Sequence, residues 1–385
     1  MTKENALTAA LAIKISASSL YGWYEDRAGR HRTVPCITFR DFMDACLYDV
    51  KFGYYRSGPV RVGKAGDFYT SSAIGDVLAQ VLAKFALDYA QEIGEPQGFI
   101  EWGAGTGRLS AQIAEAGCRQ SIDWGRKFRS ILIEDHPAHQ QEAKKKFSES
   151  GNLCELHVQI MSSEEAWKSE WLQKPSLILA NELIDAFPVH RIQKVNDQLM
   201  EIGVAHSKEL GFYEVNLPLT DDRIYEWLIR DGIEMNDGQQ TEIHADASSF
   251  LRQLGTVVKK GRLVLIDYGH ESVEYAAEHR MMGTLMCYWR HQAGGSPYKQ
   301  IGEQDITSHV PFTFIRHEAE KSGWQVSSYA TQKQFLMEHG VLELLQNHSS
   351  ADPFSEAARS NRAIRQLLLS DQMSESFKVM VLDKK

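Results

Sequence analysis

Apolar and polar positions change rhythm along this chain, and the changes mark out its elements. Phe39, Phe42, Met43 and Cys46 recur at helical spacing behind Thr38, a good N-cap, so a helix is expected over FRDFMDACLYD. Residues 53–71, GYYRSGPVRVGKAGDFYTS, are rich in glycine and aromatics and read as hairpin and loop. From residue 72 the pattern becomes α/β. Val77, Leu78, Val81, Leu82, Phe85 and Tyr89 stripe a helix over 72–92. Apolar runs at GFIEW (98–102), RSILIE (129–134), LCELHVQ (153–159), PSLILAN (175–181) and RLVLIDYG (262–269) predict strands. RLSAQIAEAG and the stretch opened by Pro137 are helical between them. Runs such as LILA and LVLI lack alternation, as expected of parallel strands covered on both faces. The alternation of strand and helix predicts a doubly wound, mostly parallel α/β sheet.

Two stretches interrupt that rhythm. Residues 190–260 begin with alternating segments, HRIQKV and GFYEVNL, and turn helical near SSFLRQLGTVVKK. They read as hairpin material grafted on the sheet edge. Beyond the fifth strand, PFTFIRHEAEKSG is helical, WQVSSYATQ extended, QKQFLMEHGVLELLQ helical, and FKVMVLD (377–383) a closing strand. The expected organisation is an N-terminal helical and hairpin cap over 1–71, then one sheet-based domain over 72–385. That domain carries inserts at about 190–260 and 270–305.

Composition narrows the class. The 385 residues are 43% hydrophobic and 24% charged, enough for a sizeable core, and the net charge of −9 argues against coating nucleic acid. No run approaches the roughly 18 apolar residues of a membrane span. MTKENALTAALAIKISASS has an early acid and a Lys-interrupted apolar stretch. It fits neither a secretory signal nor a presequence, so a cytoplasmic protein is expected. Five cysteines without a CxxC pair predict reduced, mostly buried thiols, with neither a disulfide frame nor a zinc site. The oligomeric state is left open.

The segment EWGAGTG sets Gly103, Gly105 and Gly107 between a strand and a helix. A dinucleotide fingerprint needs a third glycine where this chain has Arg108. The GxGxG spacing suits S-adenosylmethionine, and Glu101 at the strand end can attract its amine, directly or through water. Glu134 ends the next strand and can accept hydrogen bonds from both ribose hydroxyls. The plainer reading is a tight strand–helix turn and a solvated strand end.

Asn181, Glu182 and Asp185 follow the fourth strand in ANELIDAFPVHRI, at the carboxyl edge where α/β proteins bind ligands. In a helical segment Glu182 and Asp185 share a face. Two acids and an amide suit a guanidinium or ammonium acceptor, and one acid can take a proton. The alternative is a helix cap whose acids complement the helix dipole. The DPPY-like sequence of nucleobase methylation is absent.

Other segments offer weaker chemistry. GDFYTSS can lay Asp67 over a cofactor as a lid, or plug the core with Phe68 and Tyr69. Asp267 and Tyr268 end the fifth strand. Tyr288, Trp289, Arg290 and His291 line a channel or form an exposed loop. Asp305 and His309 are four apart, with no further ligands for a metal. His136 and His139 are expected at the surface.

These blocks, in order, resemble one family. GDFYTS, EWGAGTGRL, LILANELIDAFPVHRI, LIDYG, GTLMCYWRHQ, GEQDITSHVPFTFI, TQKQFL and FKVMVL are similar to those of the MidA-like S-adenosylmethionine-dependent methyltransferases. That family includes a mitochondrial complex I assembly factor that methylates an arginine. The resemblance spans roughly residues 38–383 and implies a class I methyltransferase (Rossmann-like) fold. It implies cofactor contacts at Gly103, Gly105, Gly107, Glu134, Asp67 and Thr70, and a substrate or catalytic role for Asn181, Glu182 and Asp185. The implied acceptor is an arginine side chain of a protein. Methylation of a small metabolite, and an assembly factor with the fold but little catalysis, are the rival expectations.

Overall fold

In the computed structural model, residues 3–60, 76–94, 97–149, 154–290, 292–346, 355–369 and 375–385 are described. Seven strands form the path of an eight-stranded sheet: β1 (Gln97–Trp102), β2 (Phe128–Ile133), β3 (Val158–Met161), β4 (Ser176–Asn181), β5 (Gly261–His270), β6 (Gln325–Thr331) and β7 (Phe377–Lys384). Their order is β3-β2-β1-β4-β5-β7-β6. Neighbours from β3 to β5 are parallel, and β7 lies antiparallel between β5 and β6. This is the expected doubly wound, mostly parallel sheet. Leu177–Ala180 and Leu263–Ile266 are buried without a break, as strands covered on both faces require. The Val77–Ile93 helix packs Val81, Leu82 and Phe85 into a core shared with Ile113, Trp124, Val264 and Val379.

The third strand starts later than expected. Residues 154–157 precede it, and pairing begins with Val158 opposite Ser130. Cys154 forms a disulfide with Cys118, Cα to Cα 5.8 Å, which overturns the expectation of five reduced thiols. Cys36, Cys46 and Cys287 are free and buried. Two glycines let the disulfide-bearing segments approach. A Cβ at Gly117 would lie 2.1 Å from the Trp124 ring, and one at Gly125 would lie 1.8 Å from the Glu155 carbonyl oxygen.

The chain divides into two compact units, and the division differs from a cap ending at residue 71. One unit comprises 59–183, 251–268 and 319–385; the other comprises 1–58, 184–250 and 269–318. The reason is strand pairing. Tyr21–Glu25 pairs with Gly211–Leu217, and Ile37–Thr38 pairs with Gln198–Ser207. The 190–260 insert therefore builds its own antiparallel sheet with N-terminal strands, in the order Gln240–Ile243, His190–Val195, Gln198–Ser207, Gly211–Leu217, Tyr21–Glu25, His31–Pro35. Asn196 and Asp197, both at positive φ, close the tight hairpin between Val195 and Gln198. Thr38 caps the Phe39–Tyr48 helix as expected, accepting from the Asp41 N–H at 3.0 Å. A three-stranded sheet (Met286–Trp289, Gln292–Ala293, Asp305–Thr307) completes this unit's strands together with Val310–Pro311 on Gly269–His270. Among the described residues no helix is long and apolar enough to cross a membrane.

Candidate active site

The strand order reverses between β1 and β4, and beyond the carboxyl ends at such a switch point doubly wound sheets bind their ligands. The glycine loop leaves β1 there. Gly103, Gly105 and Gly107 have φ of 73°, 53° and 67°, a region that side chains rarely enter. The Ile133 carbonyl of β2 accepts from the N–H groups of Gly103 (2.9 Å) and Ala104 (3.0 Å). Space also demands glycine: a Cβ at Gly103 would lie 2.9 Å from Leu183 Cδ1, and one at Gly107 would lie 2.8 Å from Ala143 Cβ.

Glu134 follows β2 and binds the loop directly. Its Oε2 accepts from the Gly105 N–H at 2.8 Å and its Oε1 from the His136 N–H at 2.7 Å. His136 and His139 are buried, with rings stacked 4.3 Å apart, not at the surface as expected. His136 Nδ1 accepts from the Ala138 N–H, so the helix start folds its own polar atoms inward. Glu101 is buried behind the loop, where its carboxyl accepts from the Ser110 N–H (3.1 Å) and the Ser110 hydroxyl. Burial pushes its pKa up to about 7, against the lowering effect of Ser110.

Asn181 is the last residue of β4. Its Nδ2 donates to Glu182 Oε1 at 3.3 Å, and its buried Oδ1 has no hydrogen-bond partner among the described residues. Glu182 sits at φ 50° while its N–H donates to the Ile266 carbonyl of β5 at 2.8 Å. The segment is a turn, closed by Phe187 N–H on the Ile184 carbonyl at 3.0 Å, so the expected helical face of Glu182 and Asp185 does not form. Asp185 is buried in the other unit; the Ser308 N–H donates to its carbonyl at 2.9 Å.

Asp67 and Thr70 lie outside the described residues, as do the rest of GDFYTSS and His291. Tyr288 and Trp289 belong to a strand, and the Arg290 guanidinium lies over the Trp289 ring at 4.6 Å. Asp267 is buried, and its Oδ1 accepts from the Tyr268 N–H at 3.0 Å. Asp305 accepts from the Tyr55 hydroxyl, while His309 faces His270, so these two do not form a ligand pair. Burial pushes His309 down to about 4. No group of three or more metal-ligating side chains occurs among the described residues. Sequence reasoning missed Ser110, which anchors Glu101, and Tyr48 and Tyr55; only the aromatic-rich segments around the two tyrosines gave a hint.

Fold and site define a class I S-adenosylmethionine-dependent methyltransferase. The chain belongs to the family described as "Putative S-adenosyl-L-methionine-dependent methyltransferase", whose sequence profile matches residues 81–330. It is 23% identical over 368 residues to the Danio rerio mitochondrial protein arginine methyltransferase NDUFAF7, covering 89% of this chain and 82% of that one. The Drosophila melanogaster homolog of that protein is 23% identical over 306 residues, 74% of this chain and 67% of the relative. The crystal structure of "a COG1565 superfamily member and likely methyl transferase from Burkholderia thailandensis bound to S-adenosyl-homocysteine" superimposes with a TM-score of 0.84 at 26% identity. That likeness covers 99% of this chain and 92% of the other. The cofactor is S-adenosylmethionine.

Proposed function

We propose that the methyl acceptor is the guanidinium of an arginine side chain in another protein. The observation that carries this reading is at the carboxyl end of β4. There the buried, unfilled Oδ1 of Asn181 stands beside the Glu182 carboxylate. An acceptor pair of this kind suits a planar group rich in N–H donors. Glu182 holds a left-handed backbone that costs about 1–3 kcal/mol, and such strain gathers at functional sites. The relatives named as protein arginine methyltransferases favour the same substrate class.

In this reading the cofactor rests on Gly103, Gly105 and Gly107, with Glu134 on its ribose hydroxyls. The residues fit: each Glu134 oxygen takes one backbone N–H and keeps lone-pair capacity for a hydroxyl. Glu101 commits Oε2 to Ser110 and keeps Oε1 for the methionine amine, directly or through water. The family resemblance adds Asp67 and Thr70 as proposed cofactor contacts. The bound cofactor supplies an electrophilic methyl group on a sulfonium. The chain's own work is to orient the guanidinium, exclude water and take the proton the nitrogen loses, at the Glu182 carboxylate.

The test is incubation with methyl-tritiated cofactor and cell lysate, followed by acid hydrolysis of the labelled protein. Tritium in methylarginines is the expected result. Label confined to small molecules, or cofactor binding with no transfer to any component, contradicts it.

A further inference from the structure

A second set of polar groups lies within the unit formed by residues 1–58, 184–250 and 269–318. The Met286–Trp289 and Asp305–Thr307 strands pair with Tyr288 opposite Asp305 and Met286 opposite Thr307. Opposed residues share a face of a sheet, and so do residues two apart. Tyr288, Asp305, Met286 and Thr307 therefore line one face. Asp305 and Thr307 are fully buried, and Thr307 Oγ1 has no hydrogen-bond partner among the described residues. The Tyr55 hydroxyl donates to Asp305 Oδ1 at 2.6 Å, and the Tyr55 ring stacks on Tyr48 at 5.7 Å. The Tyr48 hydroxyl donates to the Ala186 carbonyl at 3.0 Å, beside the buried Asp185.

The three tyrosines are half-buried, while Asp305 and Thr307 are fully buried. Burial, and next the carboxylates of Asp305 and Asp185, raise the pKa of all three phenols. The Ser308 N–H, next after the Asp305–Thr307 strand, donates to the Asp185 carbonyl at 2.9 Å, which sets Asp185 beside that strand. Aromatic faces, two carboxylates and a hydroxyl acceptor make a cation site of planar character. A guanidinium stacks on tyrosine rings and spreads five donors in its plane. An ammonium uses the carboxylates but neither the planar fork nor the stack.

We propose that Tyr48, Tyr55, Tyr288, Asp185, Asp305 and Thr307 form a binding site for the guanidinium of an arginine side chain. The identity of that ligand rests on the arginine reading above. Thr307 supplies the lone pair for one N–H, which accounts for a hydroxyl buried without a partner.

The test is a binding titration of N-acetyl-arginine amide, followed by calorimetry at saturating S-adenosyl-homocysteine, with N-acetyl-citrulline amide as the neutral isostere. The expected result is saturable binding of the arginine probe in the millimolar range and none of the citrulline probe. Asp305→Asn and Thr307→Val should each weaken arginine-probe binding about tenfold or more, as loss of a bond to a charged group does. Neither should change S-adenosyl-homocysteine affinity. If Asp305→Asn fails to fold, Thr307→Val still decides. A buried hydroxyl with no ligand role would give a Val variant of equal or greater thermal stability and unchanged probe binding. That outcome overturns the proposal, as does equal binding of the two probes or no arginine binding by the wild type. Labelled methylarginine with probe binding indifferent to both variants removes this site alone. Probe binding that depends on both, with no methylarginine formed, removes the acceptor reading alone.

Discussion

Burial under the first turn of the Arg108–Gln120 helix pushes Glu101 up to about 7. The unfolded carboxyl titrates near 4.5, so the folded protein holds an extra proton between those values. Stability is then full below about 4.5 and falls as pH rises through about 7, by a term on the order of 3 kcal/mol. Glu101→Gln keeps an acceptor for Ser110 and should flatten the urea midpoint against pH over that window. A variant whose midpoints track the wild type would show that Glu101 is not the group responsible. The glycines and Glu134 were readable in the sequence because they sit at fixed places after two apolar strands. Tyr48, Tyr55 and Thr307 were not. Tyr48 meets a carbonyl 138 residues away and Tyr55 a carboxylate 250 residues away, and no local pattern encodes such pairs. The inward turn of His136 and His139 was equally hidden, since it rests on the stack of the two rings and on the Ala138 N–H, which no apolar pattern announces.

The elements that carry the glycine loop tolerate little change. Gly107 combines φ of 67° with a Cβ position 2.8 Å from both Ala143 Cβ and Leu132 Cδ2. Gly107→Ala should cost about 2–4 kcal/mol, from left-handed backbone strain plus overpacking. Chemical denaturation reads this directly, and a loss under about 1 kcal/mol would mean the helix shifts to admit the methyl group. Strand and helix identities followed well from periodicity: β1, β2, β4, β5 and β7 lie where apolar runs place them, and β6 lies within the extended WQVSSYATQ. β3 did not, because its start depends on pairing with Ser130 and not on the apolar content of residues 153–157. The turn at Glu182 escaped as well, since carboxylates three apart look alike in a helix and in a turn.

At the scale of the whole molecule, the N-terminal strands and the 190–260 insert share one sheet although over 150 residues separate them. Alternation within each segment announced strands, but it carried no information about which strand each would join. The disulfide has the same character, linking positions 36 residues apart through glycines whose role is purely steric. A DTNB titration of the unfolded chain without reductant should count three thiols, and five after reduction; five in both would contradict the bond. In the proposed reading the loop after β1 and the acid after β2 hold the cofactor. Calorimetric titration of S-adenosyl-homocysteine into wild type and Glu134→Gln tests it most directly. The prediction is saturable one-to-one binding by the wild type and affinity at least about tenfold weaker in the variant. A flat wild-type titration, or equal affinity in both proteins, would contradict it.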